Sequence, residues 1–101
     1  MKIVGICACT SGIAHTYIAR EKLIASAQKK HHEIFIETQG TIGAEFVLTP
    51  QQIKDADVVI LAVDIKVSKE RFKGKKVMEV PTHIVIKGSD QLIEKIEGMI
   101  S

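Results

Sequence analysis

The stretch Lys2-Ile3-Val4-Gly5-Ile6-Cys7-Ala8-Cys9-Thr10-Ser11-Gly12-Ile13-Ala14-His15-Thr16-Tyr17 decides the fold. Its first half is an apolar run that stops abruptly at the small polar group Cys9-Thr10-Ser11-Gly12, the pattern of a short strand buried on both faces. From Ile13 to Lys30 the period changes. Ile13, Tyr17 and Ile24, and likewise Ala14, Ile18 and Ala25, recur at helical spacing, and Lys29-Lys30-His31 suit the negative end of a helix dipole. A strand thus runs through a polar loop directly into a helix.

The same alternation continues outward. A second strand is expected over His32 to Thr38, where Ile34 and Ile36 alternate with Glu33, Phe35 and Glu37, followed by the loop Gln39-Gly40-Thr41-Ile42-Gly43. Thr49-Pro50-Gln51-Gln52 predicts a helix start, with Thr49 as N-cap, Pro50 at the first helical position and Gln52 completing a capping box; this helix ends near Ala56. Val58 to Val63 is an uninterrupted apolar run, hence a central strand, and Asp64-Ile65-Lys66 is the loop after it. Ser68 to Phe72 reads as one helical turn and Lys76 to Val80 as a fourth strand. Ile84-Val85-Ile86 stays open between strand and helix. A C-terminal helix follows, with Ser89 as N-cap and Leu92, Ile93, Ile96 and Ile100 on one face. Strands alternating with helices predict a small doubly wound α/β domain over residues 1–101: a four-stranded parallel sheet between helices, a Rossmann-like three-layer sandwich.

With 101 residues and 46% hydrophobic content, one apolar core can hold the chain without disulfides or a structural metal. Fourteen basic residues stand against twelve acidic ones, a formal charge of +2, which does not predict nucleic-acid binding. The basic cluster Lys69, Arg71, Lys73, Lys75 and Lys76 reads as a solvated face. A strand would place Cys7 and Cys9 on one face about 6.6 Å apart, at the upper limit for bridging without backbone movement, so a structural disulfide is not expected, and two unbridged thiols suit a reducing compartment. There is no leader pattern and no apolar run of about 20 residues, so a cytoplasmic protein is expected.

In open parallel sheets ligands bind beyond the carboxyl ends of the strands, and Cys9 occupies that address. Backbone N–H groups of Cys9 to Thr16, running from strand end to helix start, can converge on an anion and favour a thiolate. Cys9 is therefore the expected nucleophile. If it attacks phosphorus, the donors of Thr10, Ser11, Gly12, Ile13, Ala14, His15 and Thr16 would hold the phosphoryl oxygens, with no metal or cofactor required. His15 stands six positions after Cys9, where a cysteine-dependent tyrosine phosphatase would place an arginine clamp. Imidazole offers one titratable donor instead, either assisting transfer or simply satisfied by solvent at a helix start. Cys7, inside the apolar run, reads as a small buried hydrophobe, and His31 and His32 as surface residues at a helix end.

Three segments resemble the IIB components of the fructose-type bacterial phosphotransferase system: Cys9-Thr10-Ser11-Gly12-Ile13-Ala14-His15-Thr16-Tyr17, Glu37-Thr38-Gln39-Gly40-Thr41-Ile42-Gly43, and Ala56-Asp57-Val58-Val59-Ile60-Leu61-Ala62 leading into Asp64-Ile65-Lys66-Val67 and Arg71-Phe72. The resemblance implies that a phosphohistidine on a IIA partner phosphorylates Cys9. The phosphoryl group then passes to sugar moving through membrane-embedded IIC, with the domain at the membrane's inner face through IIC. The family usually carries proline after the cysteine; here Thr10 frees one N–H and one φ angle. Gln39, Gly40 and Asp64 could line the rim of the site, or serve only as turn residues. The alternatives are a cysteine-dependent phosphatase, which would lack the arginine and a recognised acid, and a non-catalytic regulatory module with the same fold.

Overall fold

The computed structural model describes residues 1–9, 13–40 and 43–100, apart from the side chains of 13–15 and 100. The elements run β1 (Lys2–Ala8), α1 (Ile13–Lys29), β2 (Glu33–Gly40), β3 (Gly43–Glu45), α2 (Pro50–Asp55), β4 (Val58–Val63), a 3-10 turn (Glu70–Phe72), β5 (Val77–Val80) and α3 (Thr82–Ile100). They form a five-stranded sheet in the order β3-β2-β1-β4-β5. β2, β1, β4 and β5 are the four expected parallel strands, and β3 adds an antiparallel edge to β2.

Both faces of the sheet are covered. Ile3 and Cys7 of β1 face α1 and α3, packing with Ala19, Leu23, Val85, Ile93 and Ile96. Val4, Ile6 and Ala8 face α2 and the 3-10 turn, packing with Leu48, Ile53 and Phe72. This period-2 division explains why the β1 and β4 runs carry no polar face.

Gly5, on the first of these faces, lies where β1, β2 and β4 crowd together. A Cβ there would come 2.4 Å from the Ile60 carbonyl oxygen and 3.0 Å from Ile36 Cδ1. The carbonyl belongs to a central strand and cannot turn aside. Gly5→Ala should therefore cost about 1–3 kcal/mol, read as a lower urea midpoint at unchanged slope; an unchanged midpoint would contradict the close approach.

Several local expectations meet the structure differently. The capping box holds: Thr49 Oγ1 accepts from Gln52 N at 3.1 Å, and Gln52 Oε1 from Thr49 N at 2.9 Å. Ile84-Val85-Ile86 is helical, because α3 begins at Thr82 and bends at Gly88 (φ −151°, ψ 55°). Ser89, predicted as N-cap, instead lies 2.7 Å by its Oγ from Ser26 Oγ of α1. The face that α1 buries is Thr16, Ala19, Leu23, Ser26 and Ala27, whereas Ile18 is 46% exposed; small residues let α1 sit close to the sheet and α3. α1 ends in a Schellman motif: His31 takes φ 63°, with bonds from His31 N to Gln28 O and from His32 N to Ala27 O, each 3.0 Å.

His32 is also no surface residue. Its ring is largely covered, and Nε2 meets Glu97 Oε2 of α3 at 2.7 Å. The basic cluster is largely a solvated face, as expected, with Lys69, Arg71, Lys73 and Lys76 exposed, but several of its members also hold partners. Lys75 Nζ caps the end of α2 through the Lys54 and Ala56 carbonyls at 2.7 and 2.9 Å, Lys69 pairs with Glu79, and Arg71 holds Glu37. Among the described residues, no helix is long and apolar enough to cross a membrane.

Candidate functional site

The sheet register sets the site. Ala8 pairs with Gln39 on one side and Val63 on the other, so Cys9, Gly40 and Asp64 leave the same edge of the sheet side by side. The chain turns one way from β1 through α1 to β2, and the other way to reach β4, which opens the crevice between β1 and β4. Asp64 is drawn over this crevice by its own backbone, since Asp64 N donates to the Ala8 carbonyl at 2.9 Å.

Cys9 is only 3% exposed. Its thiol donates to Asp64 Oδ2 at 3.0 Å. The same carboxylate is gripped by the start of α3: Thr82 N donates to Oδ1 at 3.0 Å and Thr82 Oγ1 to Oδ2 at 2.5 Å, while Thr82 Oγ1 lies 4.0 Å from Cys9 Sγ. Thr82 is fully buried. Cys9, Asp64 and Thr82 thus form a hydrogen-bonded chain joining the ends of β1 and β4 to the first turn of α3.

Of the residues predicted from sequence, Cys9 and Asp64 come together, and Asp64 touches the sulfur rather than merely lining a rim. Thr16 is buried in the first turn of α1, 2% exposed. Thr10, Ser11 and Gly12 lie outside the described residues, as do the side chains of Ile13, Ala14 and His15. Gly40 pairs with Gly43 at the β2–β3 turn. Gln39 turns to Glu37, donating Nε2–H to Oε2 at 2.7 Å. Thr82 was missed. It stands 73 positions from Cys9, and only the placement of α3 over the sheet edge connects them.

Cys7 behaves as predicted. It is fully buried, and desolvation pushes its thiol up to about 12 against a small opposing pull from Arg20. Such a thiol supplies no thiolate near neutral pH.

Beside the site lies a buried ion pair that sequence gave no role. Glu37 is 1% exposed. It accepts Arg71 Nη1 and Nη2 at 2.9 Å each and the Leu48 amide at 3.0 Å. Burial alone would push the Glu37 carboxyl up, but the bonds from Arg71, Gln39 and Leu48 outweigh it and hold the group below its ordinary value. This node ties β2, the segment before α2 and the 3-10 turn together under the rim. On the other flank, Tyr17 donates to Glu45 of β3, and the Arg20 guanidinium lies 3.9 Å from the Phe46 ring centroid.

Fold and geometry define a class: a parallel α/β domain whose strand-end cysteine, held by a carboxylate, sits at the topological switch point. Comparison with known proteins narrows this. Residues 4–95 match the family profile described as PTS system, Lactose/Cellobiose specific IIB subunit. The fructose-like EIIB component 2 of Escherichia coli is 43% identical over 101 residues, covering 99% of this chain and 95% of that protein. The fructose-specific EIIB'BC component of Vibrio cholerae is 47% identical over 90 residues, 89% of this chain but only 16% of that longer protein. A crystallised domain of the fructose-specific IIABC component of Borrelia burgdorferi superposes with a TM-score of 0.89 at 46% identity, covering 92% of this chain and 89% of that one. The chain belongs to the IIB family of the sugar phosphotransferase system, with fructose-type relatives.

Proposed function

We propose that this IIB domain, spanning residues 1–101, carries a phosphoryl group on Cys9. It takes the group from a phosphohistidine of a IIA protein and delivers it to sugar handled by a membrane IIC protein, so that it acts as a protein-phosphohistidine–sugar phosphotransferase. The observation that carries this reading is the thiol of Cys9 at the crevice between β1 and β4 in a chain of this family, hydrogen-bonded to Asp64 at 3.0 Å. The amides of Thr10 to Thr16 and the His15 ring are the proposed holders of the phosphoryl oxygens, at the positive end of α1. The chain works in the cytoplasm, at the inner face of the membrane when docked on IIC.

The second reading, a phosphatase, would need an acid at the leaving oxygen opposite the sulfur, whereas Asp64 accepts from the thiol itself. One experiment separates the two. The chain is mixed with phosphorylated IIA protein, and in parallel with an aryl phosphate. A carrier accepts one phosphoryl group per chain and holds it without hydrolysing the aryl ester; sustained aryl phosphate turnover, with no label accepted from IIA, would overturn the carrier reading.

A further inference from the structure

We infer that Asp64 is the proton acceptor for Cys9, so that the pair keeps one proton throughout phosphoryl transfer, on sulfur before and on the carboxyl after. The inference rests on Cys9 being the carrier.

Three reasons support it, two of them geometric. Asp64 Oδ2 is the atom that already accepts the thiol, at 3.0 Å, within direct proton-transfer reach. The carboxylate cannot rotate away freely, because Thr82 N fixes Oδ1 and Thr82 Oγ1 fixes Oδ2. A purely helix-capping aspartate would need only the Thr82 contacts; the bond to sulfur is additional. Charge supplies the third reason. A phosphoryl dianion on Sγ beside an ionised carboxylate would be repelled strongly, whereas a carboxyl that has taken the proton is neutral. Among the described residues, charged or titratable neighbours in sequence are Lys66, two positions after Asp64, and His83, next to Thr82, both exposed; from α1, His15 is the titratable group proposed above to face the phosphoryl oxygens.

The step balances as follows. The donor's N–P bond breaks and its electron pair returns to the imidazole nitrogen, the S–P bond forms, and the thiol proton moves to Asp64 Oδ2. On delivery the S–P bond breaks with its pair remaining on sulfur, the acceptor hydroxyl oxygen bonds phosphorus and gives its proton to solvent, and the thiolate takes back the proton from Asp64.

The test measures the rate of phosphoryl acceptance from phosphorylated IIA protein between pH 6 and 9, for wild type, Asp64→Asn, Asp64→Ala, Thr82→Val and Cys9→Ser. Wild type should vary little between pH 6.5 and 8.5. Asp64→Asn, left to ionise its thiol through solvent, should be slower on the order of 10²-fold at pH 7 and should recover by about tenfold per pH unit as solvent base takes over. Thr82→Val should lose only a few-fold and keep the wild-type profile, because it loosens the carboxylate without removing it. Formate should partly restore Asp64→Ala by replacing the missing base. An Asn variant as fast as wild type, or one slowed equally at every pH together with an Asp64→Ala variant that formate does not rescue, would overturn the inference. Should the Asp64 variants not fold, the wild-type profile decides: a plateau supports the internal base, and a tenfold climb per pH unit contradicts it. If wild type accepts no label, the carrier reading itself fails; if wild type but not Cys9→Ser is labelled and Asp64→Asn matches wild type, only the role of Asp64 fails.

Discussion

Arg71→Ala is expected to lower the unfolding free energy by about 3–5 kcal/mol, a large share of what a domain of this size possesses. The reason is asymmetry between partners. Glu37 is 1% exposed and would keep its charge in the interior after losing two of its four bonds, those from Nη1 and Nη2. Arg71, whose side chain is 35% exposed, would be less troubled by the converse loss, since water can reach it. Removing both charges with Glu37→Leu and Arg71→Met should recover most of the stability, because the pair taken together need not be net favourable. Urea titration of the two variants checks this; equal, small losses in both would contradict the buried-charge argument. The pair also sets an acid limit. The Glu37 carboxyl is held below its ordinary value of 4.5, so its contribution is complete above that pH and disappears as pH falls through the lower folded value. Wild type should therefore lose stability steeply on acidification, and Arg71→Ala should show a shallower acid dependence.

Cys9→Ser should abolish phosphoryl acceptance, by about 10³-fold or more, while the fold survives. A serine hydroxyl can still donate to Asp64 Oδ2, so the link from β1 through Asp64 to Thr82 is kept. What it lacks is sulfur's nucleophilicity, since a hydroxyl gives up its proton far less readily than a thiol. Cys7 offers no substitute, because burial pushes its thiol up to about 12 and the residue is fully enclosed. Cys7→Ser should leave labelling essentially intact. Label that survives in Cys9→Ser would remove sulfur from the mechanism.

Much of the architecture was written in local pattern. The apolar runs of β1 and β4 announce strands covered on both sides, and the Thr49-Pro50-Gln52 pattern marks the start of α2. Most of the misses share a physical cause, which is that a partner distant in sequence decides the outcome. Glu37 alternates with Ile34 and Ile36 and so reads as outward-facing, yet its side of the sheet is covered too, by the chain near Leu48 and Arg71. β3 has three residues, Gly43–Glu45, too few to show any period. The first turns of α3 carry β-branched Ile84-Val85-Ile86, and it is the burial of Val85 against the sheet that keeps them helical. At the site, the position of Cys9 followed from its strand end. The grip of Asp64 and Thr82 did not, since it depends on how β4 and α3 dock.

Peptide mapping by mass spectrometry, after the intact chain is labelled by a phosphorylated IIA protein, tests the central claim most directly. The predicted result is one phosphoryl group, on the peptide holding Cys9 and on its sulfur. A phosphoryl group found on a histidine such as His15, with Cys9 unmodified throughout the time course, would contradict it.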